Sequence, residues 1–171
     1  KTKGGFEYRN ELVSFKKKNF SFCIGAACYP EGHIECKDLD KDIENLKRKV
    51  DSGVDFLVTQ LFFDNQNYFK FLDRVQAAKI NIPIIPGIMP ILNLKQMQRF
   101  TRMCGANLSP SLLDKFKGVE DDNEKVREIG ISHAIEQCRE LLKYKVPGIH
   151  FYTLNRSKAT LNILDALRDF K

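Results

Sequence analysis

The sequence predicts an α/β protein built on parallel strands, and three observations carry that prediction. Short apolar runs rich in β-branched and aromatic residues end at turn or polar residues, and segments of helical spacing separate them. None of the runs alternates cleanly between apolar and polar, which is the pattern of strands covered on both faces. Each strand-to-strand connection is long enough for the right-handed crossover that parallel strands need.

The elements follow in order. Tyr8 to Lys18 has helical spacing, and the strand Phe20 to Ala27 comes after it. A helix over Leu39 to Gly53 places Ile43, Leu46 and Val50 at i, i+3 and i+7, with Gly53 as its stop. The strand Phe56 to Phe63 precedes a helix over Tyr68 to Ala78 that turns Phe69, Phe71, Leu72 and Val75 inward. After the strand Ile82 to Leu92, Asn93 caps a helix running through Met97, Phe100 and Met103 to Gly105. The alternation then relaxes into a short helix, Ser109 to Lys117, and a long one, Asp121 to Lys145. The buried side of the long helix is read through Ile131, Ala134, Ile135, Cys138 and Leu142. The strand Gly148 to Leu154 and the helix Ser157 to Phe170 close the chain. Four such units suit half of an eight-stranded barrel, and they also suit a small doubly wound sheet.

At 171 residues and 43% hydrophobic content the chain can bury a core, and it is read as a single segment, 1–171. The 28 Lys and Arg against 22 Asp and Glu give +6, but the two signs are interleaved along the chain. Nucleic-acid binders usually concentrate their charge, so a solvated mixed surface or an anionic small ligand is the expectation and a nucleic-acid partner is not. Cys23, Cys28, Cys36, Cys104 and Cys138 show neither a C-x-x-C pair nor zinc-type histidine spacing, so they read as small buried hydrophobes in a reducing compartment. No apolar run approaches the roughly 20 residues of a membrane span, and cytoplasmic residence is expected. Lys1 to Gly5 looks like a loop from the middle of a chain, which suggests a piece of a longer polypeptide.

In α/β proteins the site lies at the carboxyl ends of the strands. Tyr29, Pro30, Glu31 and His33 follow the first strand; Thr59, Gln60 and Asp64 come at the second; Pro86, Gly87 and Pro90 at the third; and Tyr152, Thr153, Asn155 and Arg156 at the fourth. That inventory is aromatic, amide and cationic and poor in nucleophiles, which suits stacking on a flat ligand and hydrogen bonding to its edges. Gln60, an amide in an apolar strand, must find a partner, either backbone or ligand, and its surroundings favour a ligand. Asp42, Asn45 and Lys49 share one helix face, for which a solvated surface is the default and a ribose-pyrophosphate site the alternative. His33 is read as a phosphate contact, a residue without role or, least favoured, an acid; His133 and His150 are read as structural. No G-x-G-x-x-G or Walker-type loop is present.

The strings A-A-C-Y-P-E-G-H (Ala26 to His33), N-L-K-R-K-V-D-S-G (Asn45 to Gly53), V-T-Q-L-F-F-D (Val58 to Asp64), I-P-G-I-M-P (Ile85 to Pro90) and H-F-Y-T-L-N-R (His150 to Arg156) together resemble the methylenetetrahydrofolate reductase family, in its order and at its spacing. The resemblance spans nearly the whole chain and implies a (β/α)₈ TIM barrel, of which this chain carries strands five to eight with their helices. It implies FAD as cofactor, NADH or NADPH as hydride donor and ping-pong reduction of 5,10-methylenetetrahydrofolate to 5-methyltetrahydrofolate. By the same resemblance Tyr29, His33, Asp42, Asn45 and Lys49 contact FAD, and Tyr152 lines the flavin pocket. Gln60 reads the folate's pterin, Phe100 stacks on its side chain, and Gln96 and Arg156 make further substrate contacts. The family's general acid, a glutamate on the first barrel strand, has no counterpart here, and Glu31 does not replace it. A missing N-terminal barrel half is therefore an expected partner, as is assembly into a homo-oligomer. The rival readings are another barrel enzyme for a flat heterocycle and a non-catalytic fragment or pseudoenzyme.

Overall fold

The computed structural model describes residues 5–168 and 170, so of the loop read at Lys1 to Gly5 the first four residues lie outside the described residues and Gly5 opens a helix. Helix α1, Gly5–Asn19, leads into strand β1, Gly25–Cys28, and helix α2, Leu39–Asp51. Strand β2, Phe56–Thr59, and helix α3, Asn65–Ala77, follow. The third predicted strand is two short ones, β3, Ile84–Ile85, and β4, Gly87–Ile88. Helices α4, Leu94–Cys104, α5, Pro110–Asp114, and α6, Asn123–Lys143, come next, then β5, His150–Phe151, and α7, Lys158–Leu167.

Every strand pairing is parallel, β1 with β2, β2 with β3 and β4 with β5. The order is sequential throughout, without the reversal of a doubly wound sheet. Pro86 explains the break between β3 and β4. It has no N–H to give, and its carbonyl accepts from His150 N at 2.9 Å, so the chain leaves β2 and joins β5 there. Gly87 N–H then donates to Thr59 Oγ1 at 2.8 Å, a side chain standing in for the lost ladder bond.

The strands are shorter than their apolar runs. Asp55 anchors the start of β1, with its N–H donating to Ile24 O and its carboxylate accepting from Ile24 N, both at 2.8 Å. Phe20 and Phe22, read as strand, lie before that point, exposed and stacked 5.5 Å apart. After Thr59, Leu61, Phe62 and Phe63 turn into the core instead of extending the ladder. Coverage on both faces, expected of every strand, is also incomplete: Gly25 and Ala27 of β1 and His150 of β5 are exposed, because these strands lie at the ends of the pairing order.

The helix ends behave as their capping residues dictate. Asp38, Asp64, Asn93, Ser109 and Asp122 each accept a bond from a backbone N–H of the helix they open. Gly105 closes α4 in the left-handed conformation at φ 76°. On α6 the buried side is rotated from the expected stripe: Val126, Gly130, Ala134, Gln137, Cys138 and Leu141 are buried, whereas Ile131, Ile135 and Leu142 are only half-buried. Polar bonding sets that rotation. Gln137 Nε2 donates to Phe62 O at 3.3 Å and His133 Nε2 to Phe63 O at 2.9 Å, so α6 satisfies carbonyls of the segment after β2.

Two hydrophobic clusters result. One, around Leu57, Phe62, Tyr68 and Ile84, joins the sheet to α2, α3, α6 and α7. The other, around Phe63, Ile91, Met97 and Phe116, sits beyond the carboxyl ends of the strands and holds α4 and α5 there.

Candidate functional site

Helix α2 starts where Asp38 caps it and presents Asp42, Asn45 and Lys49 beside its buried Leu46. These three residues, with Tyr29 and His33, line one cavity of about 540 Å³ between α1, α2 and the end of β1. The face that spacing alone assigns to solvent is therefore the half-buried wall of a cleft. His33 N–H donates to Asp42 Oδ2 at 3.2 Å, and the His33 ring stands edge-on to Tyr29 with centroids 4.6 Å apart. Glu35 N–H donates to His33 Nδ1 at 3.2 Å, which places the proton of the neutral ring on Nε2. Lys49 Nζ donates to Ala27 O at 2.7 Å and lies 5.9 Å from the centre of the Tyr29 ring.

Burial sets the electrostatics of the cleft. It lowers the Lys49 ammonium pKa, with Cys28 and Asp42 opposing the shift. Burial also raises the Asp42 carboxyl, against the His33 N–H bond and the His33 and Lys49 charges. Tyr29 is pushed up for the same reason, as is the Cys28 thiol beneath it, so neither is an acid or nucleophile near neutrality. The wall thus offers a partly desolvated cation, a carboxylate, an amide and an aromatic ring to an anionic ligand with hydroxyl groups.

Arg9 and Asn10 of α1 line the same cleft, and sequence reasoning missed both. Nothing in the spacing of α1 distinguishes them from surface residues; only the docking of α1, through Ser14 Oγ to Ser52 O at 3.1 Å and Lys17 to Asp55 at 2.5 Å, brings them in. Among the described residues Asn10 Oδ1 is buried without a hydrogen-bond partner, a polar atom that a bound group could satisfy. The residues present therefore fit a nucleotide-type cofactor such as FAD.

Gln96, Phe100, Tyr152 and Arg156 meet at a second, smaller cavity of about 130 Å³ between α4 and the end of β5. Tyr152 lines this second cavity, and its hydroxyl donates at 2.8 Å to Thr59 O, in β2 beside Cys28. Gln60 joins neither. It borders a small recess of about 10 Å³ with Tyr29, Glu31 and Ala106, at most the room of a single water. Its Oε1 accepts from Leu61 N at 3.0 Å, and among the described residues its Nε2 has no acceptor. Both readings of this amide keep something: one end is bonded to backbone and the other awaits a partner.

Of the other histidines, His133 bonds the Phe63 carbonyl, in keeping with a structural role, and burial lowers its pKa. His150 is exposed at the end of the pairing order, its ring 4.8 Å from that of Tyr152.

Fold and site together define an α/β protein of parallel strands whose cavity-lining side chains collect about the carboxyl ends of β1 and β5. The model of the family described as methylenetetrahydrofolate reductase matches residues 1–168. The chain belongs to the methylenetetrahydrofolate reductase family. It is 42% identical over 165 residues to methylenetetrahydrofolate reductase 1 of Schizosaccharomyces pombe, covering 95% of this chain and 27% of that protein. Against the 5,10-methylenetetrahydrofolate reductase of Escherichia coli it is 39% identical over 160 residues, 94% of this chain and 54% of that one. The chain therefore spans from about a quarter to about half the length of the curated relatives it matches. A solved structure of a Clostridium thermocellum protein, described as binding two copies of 5-methyl-5,6,7,8-tetrahydrofolic acid, shares the fold. Its TM-score is 0.64 at 18% identity, over 92% of this chain and 57% of that one.

Proposed function

We propose that this chain is the carboxyl-terminal half of a (β/α)₈ barrel, strands five to eight with their helices. In the intact enzyme it reduces 5,10-methylenetetrahydrofolate to 5-methyltetrahydrofolate with FAD and NADH or NADPH. The single observation that carries the reading is the convergence of Tyr29, His33, Asp42, Asn45 and Lys49 on one cleft of about 540 Å³, within the usual range of small-molecule sites. The sequential, all-parallel strand order supports the barrel, since a segment of a closed sheet has no switch point. Relatives that bear the reductase name support the activity.

FAD, when bound, supplies hydride acceptance and donation. The chain's own residues supply position and charge. Lys49, held on Ala27 O, offers its remaining protons to phosphate oxygens; Asp42 and Asn45, on the same helix face, offer an acceptor and an amide to ribose hydroxyls. Tyr29 forms the flat wall that excludes water. Gln96, Phe100 and Arg156 receive the folate, Phe100 by stacking and Arg156 by its charge. Gln60 offers its unpaired Nε2 to the pterin. Glu31 is engaged by three N–H donors and does not act as the acid, so the proton comes from outside this chain. Cytoplasmic residence and assembly into a homo-oligomer complete the proposal; among the described residues no helix is long and apolar enough to cross a membrane.

The test uses the full-length protein. NADH-dependent reduction of menadione together with reoxidation of the reduced flavin by the folate is the expected result. Menadione reduction without any folate-dependent reoxidation points to another flavin enzyme, and neither activity points to a non-catalytic member.

A further inference from the structure

Glu31 stands between the two halves of the site. It lies at the tip of the tight turn in which Gly32 N–H donates to Tyr29 O at 3.0 Å, flanked by Tyr29 and His33 of the larger cleft. Its Oε1 accepts from Asn67 Nδ2 of α3 at 2.9 Å and from Asn107 Nδ2 at 3.0 Å. Its Oε2 accepts from the Asn107 backbone N–H at 3.2 Å. Asn107 directly follows Gly105 and Ala106, the end of the helix that carries Gln96 and Phe100. Gln60 and Glu31 line the same small recess.

We propose that Glu31 is a positioning residue whose carboxylate clamps the loop of Tyr29 and His33 to the end of α4, and so fixes the cofactor wall relative to the substrate wall. The inference rests on the flavin-folate reading of those walls. A half-buried carboxylate is costly unless its oxygens are satisfied, and here three N–H donors from two separate elements satisfy them. A neutral amide of the same size lacks the charge that strengthens all three bonds. Glu31→Gln keeps the Asn107 backbone bond only by turning its NH₂ group onto the two asparagine side chains, whose amides must then turn over to offer Oδ1, and every contact loses its charge assistance.

In full-length holoenzyme, Glu31→Gln is expected to raise the KM for the folate and to weaken FAD retention, each on the order of tenfold, with kcat changed less. Asn107→Ala, which truncates an exposed side chain, is expected to shift both quantities the same way by a smaller factor. The double variant should be no worse than Glu31→Gln alone, because both changes cut one connection. If KM and FAD retention stay within about twofold of the parent in both single variants, or if their effects simply add, the clamp is wrong. A fall in kcat at unchanged KM and FAD retention also rejects it. Should Glu31→Gln fail to fold, Asn107→Ala decides alone. Lys49→Ala and Gln60→Ala, run alongside, keep the two failures apart. If those variants lose FAD and folate turnover respectively while the Glu31 and Asn107 variants do not, only the clamp falls; if they too are silent, the reading of the walls falls with it.

Discussion

Lys49 and Gln60 show how differently two residues of one site depend on their surroundings. The Lys49 ammonium is partly desolvated and tethered to a single carbonyl, so a phosphate in the cleft would restore much of what burial removes. Lys49→Ala should therefore weaken FAD binding by about tenfold or more, the scale of a lost charged hydrogen bond, and dilution of the purified flavoprotein followed by fluorescence of released flavin measures it. Unchanged retention would remove Lys49 from the phosphate site. Gln60 has one end committed to Leu61 and the other unpaired, so its loss should leave flavin reduction by the nicotinamide nearly intact while folate turnover falls at least tenfold. Equal losses in the two half-reactions, followed by stopped flow, would count against the pterin assignment. The aromatic, amide and cationic character of these positions was legible in the sequence. Their grouping was not: Tyr152 sits with Phe100 and Arg156, and Gln60 with Glu31 and Ala106, because separation along the chain does not report which loops meet.

Among the elements, α6 is the one whose role the sequence understated. It packs so closely on the segment after β4 that a Cβ on Gly130 would lie 1.8 Å from Ile91 O, a clash with backbone that no side-chain rotation relieves. Gly130→Ala should therefore destabilise the protein by about 1–3 kcal/mol or more through overpacking, despite the better helix propensity of alanine. Thermal or urea unfolding checks this, and an unchanged or raised midpoint would show that α6 can move away at little cost. The same closeness turns Gln137 and His133 toward the carbonyls of Phe62 and Phe63. An apolar stripe at helical spacing predicts a buried face but takes no account of polar side chains bonding to a loop, which is why Ile131 and Ile135 are only half-buried while Gln137 is buried.

For the whole molecule, six of the ten exposed large hydrophobic side chains among the described residues, Leu12, Phe15, Phe20, Phe22, Leu161 and Leu164, fall on the first and last helices and on the approach to β1. Phe15 and Phe22 are each 59% exposed, Leu161 is 55% and Leu164 is 49%. The strand face bearing Gly25 and Ala27 is open beside them. A barrel completed by strands before β1 and after β5 would cover these surfaces, whereas on the isolated segment they invite association. Residues 1–171 expressed alone should therefore be aggregated or expanded, and co-expression with the proposed amino-terminal barrel half should recover soluble protein. Size-exclusion chromatography and equilibrium unfolding decide it, a cooperatively folding monomer of 1–171 being the result that overturns the idea. By itself the sequence determined the αβ alternation, the capped helix start at Asn93, and the family, because periodicity, capping chemistry and ordered motifs are local and survive without tertiary contacts. The tertiary structure alone decided where β3 gives way to β4 at Pro86, that Arg9 and Asn10 enter the cleft, and that Glu31 joins three elements. Each of those depends on which backbone groups and side chains come within hydrogen-bonding distance across tens of residues, a property of packing that no window of sequence encodes.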